Sequence, residues 1–223
     1  TYKSQRRGGK GITGVTTKED DFIKQIFTAS THDTILFFSN KGKLYKLRGY
    51  EIPEAGRTAK GTAIVNLLQL DNGEKISAVI PIQNFAEGKY LLMGTKNGLI
   101  KKTPLMEYDS SRKTGLLGIT LKDEDELIDV RLTDGEDNVV LVTKKGMSIT
   151  FEEKDVRPVG RTAQGVIGIR LDDDDEVIGM ESIIGKTNAT LLAITENGFG
   201  KRTELYEYRV QNRGGRGVIT YKV

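Results

Sequence analysis

The chain has 223 residues, enough for one large domain or two small ones with a real core, and 26 glycines against four prolines point to many tight turns. It contains no cysteine and no tryptophan, which excludes disulfide scaffolds and thiolate metal sites and fits a reducing compartment. Net charge is only +3 and the pI about 8.9, short of the roughly 9 that flags a nucleic-acid domain, so bulk charge decides nothing. No apolar run approaches the ~18 residues of a membrane span and no signal-peptide core precedes the first motif, so a soluble, intracellular chain is expected.

The first distinctive stretch is Gln5 to Gly11, "QRRGGKG", with three cations and three glycines in a loop-like run. The best helical stretch, Lys18 to Phe27, spans only about two turns, and the neighbouring "GITGVTTK" lacks the phosphate-loop pattern. A buried strand is predicted at "TILFF" (Thr34 to Phe38), then a turn at Lys41-Gly42, then a second strand. The same order recurs at "YLLM" (Tyr90 to Met93) with Asn97-Gly98, at "VVLV" (Val139 to Val142) with Lys145-Gly146, and at "TLLAI" (Thr190 to Ile194) with Asn197-Gly198. Asn-Gly is a strong hairpin signal because the favoured two-residue turn needs positive φ at both positions.

A glycine-bearing connection interleaves with the hairpins, anchored at Gly11 ahead of the first one and at Gly61, Gly115, Gly165 and Gly217 after each in turn. A third strand follows, as in "LLGITL" and "VIGIRL", then an acidic turn ("DNGEK", "KDEDE", "DDDDE") and a fourth strand such as "LIDVRL". Two independent glycine markers thus keep one period of about fifty residues. Four short strands per unit at this period predict an all-β chain of propeller-like blades arranged radially, each needing neighbours to bury its faces. The approximate repeats are 1–60, 61–114, 115–164 and 165–216, with 217–223 opening a further blade of a single domain.

The sequence resembles the C-terminal domain of the A subunit of bacterial DNA gyrase, in which "QRRGGKG" is the signature box. "STHDTILFFSNKGKLYKL", "AKGTAIVNLLQL", "GRTAQGVIGIRL" and "TENGFGKRT" extend the likeness over essentially the whole chain. The resemblance implies a β-pinwheel whose blades exchange strands and which wraps DNA around a basic perimeter. Members usually carry six blades; four hairpins here imply a partial domain and an incomplete ring. The partners it implies are double-stranded DNA, the B subunit of gyrase and the remainder of its A subunit. It also implies a cytoplasmic, nucleoid-associated location, with ATP and Mg used elsewhere in the complex. Two alternatives remain open: the equivalent topoisomerase IV domain, which binds DNA without a full wrap, and a propeller-like platform for an acidic protein partner.

Wrapping demands phosphate contacts repeated along the path, because bending 20–30 base pairs by 40–90° costs on the order of 1–6 kcal/mol. The box residues Gln5, Arg6, Arg7, Gly8, Gly9, Lys10 and Gly11 are the first candidates, although Gln5 has no evident role. Four residues before the other anchor glycines stand Arg57, Arg161 and Arg213, and one residue before them Lys60 and Arg216. Lys46, Lys102 and Arg202 lie four after their turn glycines, with Lys101 and Lys201 beside two of them, and Lys43 follows the first. The third copy has Ser111 and Thr150 at these places, compensated by Arg112, Lys113, Lys144 and Lys145, so a weaker grip on DNA is expected there.

Other motifs carry no chemistry. The run Asp172 to Asp175 lacks calcium-loop spacing and reads as a solvated turn, and His32, the sole histidine, cannot assemble a triad or zinc site. Tyr108 and Tyr208 occupy matching repeat positions, which argues for packing over nucleophilic catalysis. No catalytic residue, metal or cofactor is assigned to the chain.

Overall fold

The computed structural model describes residues 5–12, 14, 17, 22–56, 58–110, 115–184 and 188–222. Its strands are β1 (Thr34–Ser39), β2 (Lys43–Arg48), β3 (Ile76–Ile82), β4 (Tyr90–Thr95), β5 (Leu99–Pro104), β6 (Leu116–Leu117) and β7 (Leu127–Thr133). They continue as β8 (Asn138–Thr143), β9 (Met147–Glu152), β10 (Val166–Ile167), β11 (Val177–Ile183), β12 (Thr190–Ile194), β13 (Gly200–Glu204) and β14 (Val218–Ile219). No α-helix occurs among the described residues, and Phe22 to Phe27 is irregular.

Three four-stranded antiparallel sheets form in the orders β3-β1-β2-β6, β10-β5-β4-β7 and β11-β8-β9-β14. Each combines a hairpin, the strand that follows the hairpin's acidic turn, and a two-residue strand contributed by the repeat beyond. The expected third strand of each unit is therefore only two residues long and belongs to the preceding blade. The fourth hairpin, β12 and β13, forms a two-stranded sheet among the described residues, not the four-stranded unit its repeat suggested.

Period-two alternation places successive strand residues on opposite faces, and both faces are buried. On β4, Leu91 and Met93 join Leu36, Phe38 and Ile80 of the first blade, whereas Leu92 joins Leu141, Phe151 and Met180 of the third. The outer face of the first blade is covered by a loop through Leu68, packed on Ile35, Phe37 and Tyr45. Tyr108 and Tyr208 are both buried, as their matching positions implied.

The hairpin turns differ from the two-residue form that Asn-Gly suggested. Gly98 N–H donates to Thr95 O at 3.0 Å and Gly98 takes φ +82°, while Asn97 does not enter the positive-φ region. This is a type I turn closed by a left-handed glycine. Gly42, Gly146 and Gly198 repeat it with φ of +73°, +78° and +81°. A hydroxyl three residues earlier reinforces it: Ser39, Thr95, Thr143 and Thr195 accept the amide of the residue after the glycine.

The glycine is also a contact point. A Cβ on Gly42 would lie 2.7 Å from Ile119 O, whereas one on Gly198 would meet nothing within 4 Å. Alanine at Gly198 should therefore cost about 1–2 kcal/mol, the left-handed penalty alone. Alanine at Gly42 should cost distinctly more, because the swapped backbone must move; urea unfolding of the two variants measures the difference.

Candidate nucleic-acid interface

The loop Gln5 to Gly11 closes on itself. Gly9 N–H donates to Arg6 O at 3.0 Å, Gly8 and Gly11 take φ of +88° and +74°, and the Gln5 side-chain carbonyl accepts the Gly11 N–H at 2.9 Å. A Cβ on Gly9 would stand 2.5 Å from that same oxygen. Gln5, without a role in the sequence, is thus the clasp of the loop. The side chains of Arg6, Arg7 and Lys10 are exposed and make no hydrogen bond or ion pair to a described residue.

Gln211 to Gly217 repeats this frame, including its glutamine and the left-handed Gly214 and Gly217 (φ +77° and +79°). The copy is docked. Gly214 N–H donates to Gly168 O at 2.6 Å, and Arg170 N–H to Gly215 O at 2.9 Å. Arg213 donates to Asp155 O at 2.9 Å and to Ile167 O at 3.0 Å. Arg216 remains exposed near Asp172, 3.7 Å away.

Three lysines expected on the DNA face are instead interior: Lys101 is 0 %, Lys102 4 % and Lys46 8 % exposed. The cause is what packs across their faces: Tyr108 and Ser110 lie against Lys46, Glu153 against Lys102, and the Gly118 and Arg161 peptides against Lys101, while β6 and β10 pair only with the first residues of β2 and β5. Lys46 donates to Tyr108 O at 3.2 Å and to Ser110 O, with its ammonium 5.6 Å from the Phe85 ring centroid. Lys102 donates to Glu153 O at 3.0 Å, lies 3.9 Å from Glu153 Oε1 and sits over the Tyr90 ring at 5.3 Å. Lys101 donates to Gly118 O at 2.8 Å and to Arg161 O.

Lys46 and Lys102 thus each staple one blade to the next. Thr150, in their register position, leaves its buried hydroxyl without a partner. Its lack of charge removes the staple that Lys46 and Lys102 make at their own junctions. Lys201 and Arg202 are exposed, and β13 pairs only with β12 among the described residues.

Of the remaining candidates, Lys60 is exposed, and Lys43 is half-buried against Asp71. Arg161 is half-buried, with one donor on Leu117 O at 2.8 Å. Arg57, Arg112 and Lys113 lie outside the described residues. Lys144 pairs with Glu176 at 3.4 Å and Lys145 donates to Asp173 O, so both serve the acidic turn. That turn is also a cap: Asp175 accepts the Lys145 amide, as Asp125 accepts that of Asn97, each at 2.9 Å.

Two exposed cations were missed, Arg157 and Arg209, at one repeat position just after the 3-10 turns Glu153–Asp155 and Leu205–Glu207. Their register was readable, but Pro53 and Asp109 at the same place hid the pattern.

Burial, with the Arg161 guanidinium second, pushes the Lys101 amine down to about 7. Burial likewise lowers Lys102 against the pull of Glu153, and burial raises Glu153 against its bonds to Thr133 and Lys102. The Lys101 shift has a definite sign. From about pH 7 up to the ordinary lysine value near 10.5 the unfolded chain holds a proton that the folded chain lacks, so stability rises with pH across this window. Urea midpoints at about pH 7 and about pH 9 should rise for the parent chain and rise less for Lys101→Met.

Known proteins agree with this architecture. The family model described as DNA gyrase C-terminal domain, beta-propeller, matches residues 1–30, 33–83, 89–134, 137–184 and 189–223. The DNA gyrase A subunit of Clostridium acetobutylicum is 60% identical over 223 residues, covering 100% of this chain and 27% of that protein. Its Staphylococcus aureus counterpart is 44% identical over 221 residues, covering 99% and 25%. The chain therefore spans about a quarter of the length of these relatives.

Among solved structures, the C-terminal domain of DNA topoisomerase IV superposes with a TM-score of 0.79 at 36% identity, covering 85% of this chain and 58% of that one. A DNA gyrase A C-terminal domain gives 0.72 at 28% identity, covering 97% and 69%. With its strand-swapped blades and its glutamine-clasped basic loop, the chain belongs to the DNA gyrase C-terminal domain family.

Proposed function

We propose that the chain binds duplex DNA without sequence preference and wraps it with positive handedness around its outer cations. In the full gyrase complex, alongside the B subunit of gyrase with the remainder of its A subunit, this presents a DNA segment for ATP-dependent negative supercoiling. ATP and Mg act elsewhere in that assembly, in the cytoplasm and at the nucleoid. The chain supplies no catalytic group of its own.

The observation that carries the reading is the Gln5 to Gly11 loop, which holds three exposed cations on a frame closed by its own glutamine. Side chains without protein partners keep their charge for a phosphate, and a closed loop loses little freedom on binding. Lysine and arginine on such turns position the backbone and do not read base edges, which accounts for the lack of sequence preference. The exposed Lys60, Lys201, Arg202, Arg209 and Arg216 supply further contacts along the path. The likeness to a topoisomerase IV domain supports a second reading, DNA binding without a full wrap.

Binding and wrapping are tested separately. Affinity for a mixed-sequence duplex should fall with salt at a log-log slope of about −0.9 per phosphate neutralised. Alanine at both Arg7 and Lys10 should make the slope shallower by about two units. Lys102→Met should leave the slope unchanged while destabilising the fold by about 3 kcal/mol, since it strands the buried Glu153. An unaltered slope in the loop variant would sink the assignment. For wrapping, the chain is mixed with relaxed plasmid and a nicking-closing enzyme: constrained positive writhe supports it, and binding without writhe leaves the second reading.

A further inference from the structure

Lys101 and Arg161 form a closed arrangement about one pair of peptides. The Lys101 ammonium donates to Gly118 O at 2.8 Å and to the carbonyl of Arg161 itself. The Arg161 guanidinium donates to Leu117 O at 2.8 Å, the peptide next to Gly118. Tyr108 OH donates to Gly118 O as well, at 2.9 Å. The lysine is fully buried, and its ammonium bonds only backbone carbonyls among the described residues. The arginine above it is half-exposed, with a single guanidinium donor engaged by a described residue.

A buried amine held only by carbonyl dipoles has no anion to offset its charge, and a guanidinium beside it works against that charge. The groups that face Lys101 are few. Arg161 does so from the glycine connection, and Glu107 and Tyr108 from the 3-10 turn Leu105–Tyr108. Burial keeps the Tyr108 phenol protonated, and residues 115–119 and β10 bring no titratable side chain. Glu107 alone favours the ammonium, and it is exposed. The amine therefore changes charge near neutrality, where an added anion can tip it.

We infer that Lys101 is a positioning residue behind Arg161, and that a DNA phosphate seated on Arg161 loads a proton onto Lys101. The phosphate cancels the guanidinium field that opposes the ammonium. The ammonium in turn holds the Arg161 and Gly118 carbonyls, which fixes the arginine toward the phosphate. Binding and protonation are then linked, each strengthening the other by the same factor. This rests on the DNA-binding reading above.

The test is calorimetry of the whole chain with a mixed-sequence duplex, in buffers of differing ionisation enthalpy. An upward move of about one unit in the Lys101 titration means uptake of about half a proton near pH 7.5, and affinity up to about tenfold higher at pH 6 than at pH 9. Lys101→Met should abolish the uptake while keeping His32, the chain's sole histidine. Arg161→Gln should abolish it and weaken binding. Carbon-13 NMR of the lysine side chains in the parent chain reads the same shift without any substitution.

Binding with no buffer-dependent heat, uptake that persists in Lys101→Met, or a Lys101 titration unmoved by DNA would each overturn the linkage and leave DNA binding intact. No binding in any buffer would remove both.

Discussion

At the tip of each completed hairpin, one carbonyl oxygen accepts two amide hydrogens from a segment that follows the next hairpin. Gly42 O receives Gly118 and Ile119 at 2.7 and 3.2 Å, Gly98 O receives Gly168 and Ile169 at 2.8 and 3.2 Å, and Gly146 O receives Thr220 and Tyr221 at 2.8 and 3.2 Å. The turn glycine makes this possible twice over. Its positive φ aims the carbonyl outward, and its missing side chain admits the incoming backbone. Everything else about the blades depends on that clasp, because the incoming segment supplies one edge strand of each four-stranded sheet and brings the following connection against its neighbour.

The clasp explains why periodic cations ended up inside. With the blades stacked, Lys46 and Lys102 meet carbonyls of the next blade, and Lys101 meets the Gly118 carbonyl of the segment swapped onto the preceding one and that of Arg161, so none of the three faces solvent. A long apolar stem with a donor at its end suits that place. It crosses the junction and satisfies carbonyls that would otherwise be buried unpaired. The energetic consequence is a lowered amine proton affinity, since burial disfavours the ammonium. A repeat that stacks must repeat its junction residues as faithfully as any ligand contacts, so periodicity alone does not distinguish the two.

The two glutamine-led loops show how one frame serves two ends. Around Gln211 to Gly217 the backbone is engaged by Gly168 and Arg170, and Arg213 is turned onto neighbouring carbonyls. Around Gln5 to Gly11 the same glycines bend the chain alike, yet the cations stay outside and the glutamine holds the loop. The local conformation is common to both; the charge available to a ligand is set by what lies against the loop.

From the sequence alone came the all-β class, the four hairpins, the anchor glycines and the basic loop. These rest on local rules: alternating apolar residues make strands, and a left-handed turn needs glycine. Even there, the tertiary structure replaced a two-residue turn with a type I turn and a hydroxyl brace at Thr95 and its repeat mates. What only the fold decided was which strand covers which hairpin. That is a contact between residues far apart in the chain, and it fixes whether a cation such as Lys102 or Lys201 meets a neighbouring blade or water.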